Sequence, residues 1–446
     1  MTAIGSQIRW RSRSRIELDG ICFWLFVLLL FLLPLERIVG PMFTVPADAA
    51  LLVLIAYFWL VAWARCRRVV FPLLLPMWLI FMASLVATLF SIQPTANLTA
   101  MIQELYLYLF FVSAANLLAW LGEEKMHWLN KIWIIVACVE SLLALMGMLR
   151  IGPKFLYLYQ PLGGAHKHQF QFEEMGRALG TFRNSNAAGG YLMASFFVPI
   201  AASWPRHRLL RLAALGWLFL GTYATGSNAS MGGALAGLAF YLLYRVVTQG
   251  DRRTLRLWIA LGTLMAAVGV ALLVVGLSFS SALRPGVGGA LLATTVGRLA
   301  GSIGKRVVIF GAGWDIFGDN VLGVGPNGAS AVLGGGSLHN DYLAFLTERG
   351  PLGLMGLLLL IVLTMACVVA STRLARGDRV RQLQAVALGG GFVAYIIDAM
   401  AHEITHFRYL WLLMAMIFAY YYILRQRASQ TLAVDSVFSG PSGKNP

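Results

Sequence analysis

PLGLMGLLLLIVLTMACVVAS, residues 351–371, holds no charged side chain over the length that crosses the hydrocarbon core of a bilayer, about 20 helical residues. Inside lipid every backbone N–H and C=O must be satisfied within the segment or within a closed barrel. The run is continuous rather than alternating, so it reads as a helix. Working outward, similar runs recur near residues 21–38, 46–64, 71–91, 98–120, 130–149, 187–204, 209–226, 230–247, 257–278, 383–401 and 407–424. With 351–371 they make about 12 transmembrane helices. The 446 residues are 59% hydrophobic and only 12% charged, where a soluble domain averages about 25% charged. The expected fold class is an all-α polytopic membrane protein, with one integral membrane domain over 1–446.

The net charge of +16 has a topological reading, because cytoplasmic loops collect Lys and Arg. No nucleic-acid partner is expected. With the N-terminus inside, the inner segments take the clusters Arg9 to Arg15, Arg65 to Arg68, Lys125 and Lys131, Arg206 to Arg211, Arg245 to Arg256, Arg373 to Arg381, and Arg425, Arg427 and Lys444. Both termini are then cytoplasmic. Arg37 and Arg408 stand near helix ends. The remaining cations fall in two long outer loops, 150–186 and 279–350. The first holds Arg150, Lys154, Lys167, Arg177 and Arg183, and the second holds Arg284, Arg298, Lys305, Arg306 and Arg349. Placing cations against the topological bias in just these loops calls for an anionic ligand. Cys22, Cys66, Cys138 and Cys367 lie in spans or beside the inner face, so no disulfide framework is implied. The first apolar segment lacks a small-residue cleavage site and reads as a retained anchor. The basic N-terminal tail suits membrane lipid headgroups or simply sets topology. The polar tail after Arg427 reads as disordered.

The loop 279–350 is too long to be structureless. Residues 302–317 have helical apolar spacing around Val307, Val308, Phe310 and Ile316. Residues 340–349 repeat it around Tyr342, Leu343, Phe345 and Leu346. Between them Gly323-Val324-Gly325-Pro326-Asn327 and Gly334-Gly335-Gly336 must turn. Two short helices at the outer face are therefore expected, with His339 just before the second. In the first loop Asn186 is a candidate cap, and Ala187-Ala188-Gly189-Gly190 allow close approach of an anion to a helix N-terminus.

His339 titrates near neutrality and suits a general base. Asp341, Asp315 and Asp319 are alternatives for that role or for orienting the imidazole. Arg306 offers a planar, always-charged fork for phosphate, or a headgroup anchor at the membrane surface. His402-Glu403-Ile404-Thr405-His406 matches H-E-x-x-H, which on a helix places two imidazoles on one zinc ion. It lies between two spans, where helix geometry is expected to break, and has no evident third ligand. No metal site is expected, and these residues with Arg408 read as a polar outer connection. The buried acids Glu104, Glu140 and Asp398 require partners, either as structural pairs or as a transporter's proton path. Polar residues gather at one face and no repeat is visible, which favours an enzyme over a transporter.

The elements Gly323-x-Gly325-Pro326-Asn327, His339-Asn340-x-x-Leu343 and Glu348-Arg349-Gly350-x-x-Gly353-Leu354 resemble the signature of the O-antigen ligase and polymerase family. Arg306 ahead of the Gly-x-Gly element fits the resemblance, as does Arg177-Ala178-x-Gly180-Thr181-Phe182-x-Asn184-x-Asn186. The motifs cover residues 170–360, and the remainder is similar only in topology. One departure stands out. Members often carry a Ser-Arg pair at the outer end of a middle helix, and here Gly226-Ser227-Asn228-Ala229-Ser230 has no Arg. Arg183 and Arg177 are the candidates to replace it.

The resemblance implies a fold similar to the C-type glycosyltransferases, with one large periplasmic loop, in the bacterial inner membrane. It implies transfer of O-antigen from undecaprenyl diphosphate to lipid A-core, or alternatively to another repeat unit or, as in protein O-oligosaccharyltransferases, to a protein, at the periplasmic face and without a cofactor. His339 would be the general base. Arg306, with Arg177, Arg183 and Arg298, would hold the diphosphate, and Asn340 would adjoin substrate or shape the turn. His166 and His168 would meet glycan or core phosphate.

Overall fold

The computed structural model describes residues 19–38, 45–91, 93–149, 177–249 and 308–438. Among these residues every regular element is a helix, and no strand occurs. In chain order they are α1 (Asp19–Leu32), α2 (Pro46–Ala64), α3 (Leu74–Leu89), α4 (Pro94–Met148), α5 (Ser185–Ala202) and α6 (Arg208–Ala224). Then follow α7 (Asn228–Gln249), α8 (308–319), α9 (Gly328–Val332), α10 (Asp341–Leu374), α11 (Arg379–Asp398) and α12 (Arg408–Phe438). Five of them, α2, α4, α7, α10 and α11, are long and apolar enough to cross a membrane.

Helices stand where the sequence predicts spans, with one difference of joining. The segments 98–120 and 130–149 form one helical run, α4, interrupted only at Gly122 (φ 81°). The charged residues between them were expected to form a loop. They instead sit on helix, because one residue with positive φ suffices to redirect the chain and glycine adopts it freely. The expected span 257–278, the loop residues 150–176, Arg298 and Arg306 lie outside the described residues.

The core forms around α5, which is rich in small residues. Ala187, Ala188, Gly189, Gly190 and Ala194 are all buried, and α5 packs against α4, α6, α7 and α11. The α7–α11 contact is tight for the same reason. A Cβ on Gly237 would lie 2.1 Å from the Gly390 carbonyl oxygen, and one on Gly233 would lie 2.5 Å from that of Ala394. Helices in lipid lack a hydrophobic drive to associate, so close backbone approach at small residues supplies packing instead.

The two ends of the bundle differ. At the end that the charge pattern assigns to the inside, Arg381 pairs with Glu123 (3.2 Å) and Asp378 (2.7 Å), and Arg427 reaches Glu123 (2.6 Å). At the opposite end lie the loops 33–38, 177–184, 320–340 and 399–407.

Candidate functional site

Helix α10 begins with a cap. Asn340 is extended, and its side-chain oxygen accepts the Leu343 N–H at 3.0 Å, which satisfies one of the free donors of the first turn. His339 therefore does stand immediately before this helix. It is exposed and has a left-handed backbone (φ 51°), uncommon outside glycine.

That conformation is held from outside. The Glu403 Oε1 atom accepts the Ser337 hydroxyl at 2.6 Å and the His339 N–H at 3.1 Å. In the reverse direction, the Asp341 carboxylate accepts the Ile404 N–H (2.9 Å), the Thr405 N–H (3.2 Å) and the Thr405 hydroxyl (3.0 Å). The Asn340 amide donates to the Met400 carbonyl at 3.1 Å, and the Asp341 N–H to that of Ala399 at 2.9 Å. Segments 337–341 and 399–405 are thus laced by both side chain and backbone. Asp341 is consumed in this lacing, so its part is structural.

The Gly-x-Gly-Pro-Asn element has a local cause for its position. Pro351 has no N–H to give to the Thr347 carbonyl, and Gly350 (φ 65°) breaks the helix there. Two carbonyls are left to be satisfied. The Val324 N–H takes that of Thr347 at 3.1 Å, and the Gly325 N–H takes that of Glu348 at 2.9 Å. The short helix predicted at 302–317 is seen over 308–319, and the one predicted at 340–349 continues across the break into α10.

Arg349 points the other way, into the bundle. Its side chain is 6% exposed and bonds Glu348 (3.0 Å), Glu104 and the Ser84 hydroxyl (3.2 Å), with Phe345 beneath the guanidinium at 4.3 Å. It is a buried bridge between α3, α4 and α10, not a loop cation facing outward. Glu104, an acid in need of a partner, finds it here.

The first motif segment is fastened as firmly. Arg177 donates to the Thr225 carbonyl (3.1 Å) and to the Asn186 side chain. Glu140 accepts the Thr181 N–H at 2.8 Å and its hydroxyl at 2.7 Å. The cap of α5 is Asn184, which accepts the Ala187 N–H at 2.7 Å. Asn186, expected as the cap, lies inside the first turn and holds Arg177 instead. Arg183 is exposed, and its backbone N–H bonds the Glu36 carboxylate. Burial pushes the Glu36 carboxyl up to about 7, against the pull of Arg408 and of that N–H. Arg408 also grips Asp48 with two bonds, of 2.6 and 2.7 Å.

The segment 399–408 therefore joins the two motif regions. Glu403 holds His339, and Arg408 reaches the Glu36 that binds Arg183. Sequence reasoning missed Glu36 and Asp48 as parts of this end, and it placed Glu403 in the polar outer connection without its bond to His339. The signal available was their position as acids at the margins of apolar runs. The H-E-x-x-H match is not helical: residues 399–407 are turns, and His402 Nδ1 is engaged by Asp398 at 2.7 Å. No cluster of three or more metal-ligating side chains occurs among the described residues.

Beside the laced segments lies a cavity of about 330 Å³ between α3, α4, α10 and the 403–406 turn. Glu104, Asp341, Glu348, Arg349, Glu403 and His406 are its ionisable lining, Gln103, Asn327 and Thr405 add neutral polar groups, and Ile80, Leu107, Leu357 and Leu360 are among its apolar walls.

No family model matches the chain, and no curated protein matches it. The functional reading rests on this geometry and on the motif resemblance.

Proposed function

We propose that this protein is an inner-membrane glycosyltransferase of about 12 spans. It moves O-antigen from undecaprenyl diphosphate to lipid A-core at the periplasmic face. The observation that carries the reading is His339, an exposed residue at a helix start whose backbone N–H is held by a carboxylate from a separate loop. A general base needs accessibility and a set position in the chain, and the exposure and the anchored backbone supply these.

In the scheme, His339 takes the proton of an acceptor hydroxyl as its oxygen attacks the anomeric carbon of the donor. The bond from that carbon to the diphosphate oxygen breaks, and its electron pair leaves with the diphosphate. Arg306, assisted by Arg177, Arg183 and Arg298, neutralises the charge that gathers there, so the scheme requires no metal. Because Arg177 already holds Thr225 and Asn186, it contributes best as a fixed charge, whereas exposed Arg183 is the better direct ligand. A single displacement inverts the anomeric configuration.

The test is purified protein with undecaprenyl diphosphate-linked O-antigen and lipid A-core, with and without chelator, against His339→Ala. Chelator-insensitive coupling that is lost in the variant supports the proposal. Retention of configuration sinks single displacement. Elongation of the donor without coupling makes the protein a polymerase, and inactivity toward both substrates returns the question to transport of the same lipid-linked sugar.

A further inference from the structure

The cavity beside the laced segments presents mostly hydrogen-bond acceptors, whereas the donor diphosphate needs cations and N–H groups. Four carboxylates line it, from Glu104, Asp341, Glu348 and Glu403, against one guanidinium, Arg349, and the His406 imidazole. Arg349 is already bonded to Glu104 and Glu348. A diphosphate has only acceptor oxygens, so walls made mainly of acceptors, with their one guanidinium already bonded, disfavour its entry.

The lining asks for donors. Glu403 uses Oε1 for Ser337 and His339, and Glu104 uses Oε1 for Arg349. Among the described residues, nothing donates to Oε2 of either. These are vacant acceptors on the walls of a partly open cavity. Its volume of about 330 Å³ falls at the lower end of small-molecule pockets, roughly 300–1,000 Å³. Trp411 and Phe345 add aromatic surface to the same lining. Carboxylate acceptors with an aromatic and aliphatic backing are what the hydroxyl donors and apolar face of an uncharged sugar ring meet well. Glu403 also accepts the His339 N–H, so one residue is shared between the cavity wall and the anchor of the candidate base.

We propose that this cavity is a subsite for an uncharged, hydroxyl-bearing sugar ring of the acceptor, from which the donor diphosphate is excluded. The proposal rests on the transfer reading for the word acceptor, but binding itself is measurable without turnover.

Ala100 lines the cavity on α4 and makes none of the contacts that hold His339, so Ala100→Trp fills the space without touching the base. Gln103→Trp, one turn further on the same lining, is the second variant. The probes are the dephosphorylated oligosaccharide released from lipid A-core and, separately, undecaprenyl diphosphate, each titrated against full-length protein in nanodiscs. The expected result is binding of the oligosaccharide by the wild type, weakened at least tenfold by either variant, with undecaprenyl diphosphate binding unchanged. Wild-type protein that does not bind the oligosaccharide overturns the proposal, as does weakening of the diphosphate lipid instead. If the oligosaccharide binds and the variants weaken it but no glycan is transferred, the cavity assignment stands and the transfer reading falls.

Discussion

Replacing Arg349 by leucine removes the one cation shared by buried Glu348 and half-buried Glu104. The Arg349–Glu348 contact at 3.0 Å corresponds to roughly 5 kcal/mol of attraction at an effective dielectric constant near 20. Glu104 adds a second, more solvent-screened attraction. Desolvating the three groups offsets much of this, so the intact triad contributes little net stability. Its loss is another matter. Leucine leaves two acids facing each other with no cation and leaves the Ser84 hydroxyl without its donor, and breaking a buried pair typically costs 3–5 kcal/mol. We expect Arg349→Leu to lower the unfolding free energy by about 4 kcal/mol. Arg349→Lys should recover part of this, because it keeps the charge but loses the fork. Arg349→Leu combined with Glu104→Gln and Glu348→Gln should recover most of it. The assay is SDS-titrated unfolding of protein reconstituted in mixed micelles, followed by tryptophan fluorescence. A loss below about 1 kcal/mol for Arg349→Leu, the scale of an exposed ion pair, would refute burial of the guanidinium between α3, α4 and α10.

His339→Gly separates chemistry from structure. Glycine accepts the left-handed backbone, so thermal stability should hold or rise by about 1 kcal/mol while transfer falls by about 10²-fold or more. Parallel loss of both in thermal scans and turnover assays would remove the base assignment. Gly350→Ala should destabilise by on the order of 2–4 kcal/mol, because its φ is positive and a Cβ would lie 2.6 Å from the Val321 carbonyl oxygen. An unchanged unfolding midpoint would contradict the break at that residue. Glu36 supplies a pH dependence. Its folded value is raised to about 7, so the stability tied to its neutral form is complete below about 4.5 and lost as pH rises through 7, a range worth ~3 kcal/mol. Glu36→Gln should therefore gain on the wild type between pH 5 and pH 8. A constant difference across that range would place Glu36 in a solvated setting.

Much of this end of the molecule was legible locally. Asn340 before an apolar helical pattern marks a helix start, and it puts His339 where the structure has it. Gly350-Pro351 within an apolar run marks a break, because one residue favours positive φ and the other lacks an N–H. These are statements about neighbours in the chain, and covalent geometry enforces them. The misassigned cap shows the limit even there. Asn184 and Asn186 are equally good capping residues by type, and the choice fell to the fastening of Thr181 and Phe182, by Glu140 and Arg37, residues distant in sequence.

The all-helical class, the places of the apolar helices among the described residues and the helix start that follows His339 could be read from the chain, since apolar length and local backbone chemistry are written residue by residue. Which charges meet depended on packing. Arg349 counted as an outer-loop cation until packing turned it inward to Glu104, 245 residues away, and Glu403 belonged to an apparent zinc motif until it was found holding His339, 64 residues away. Ionic and hydrogen-bonding partners are chosen by proximity in space. Periodicity along one helix says which face is apolar, and it carries no information about which other helix presents the matching group.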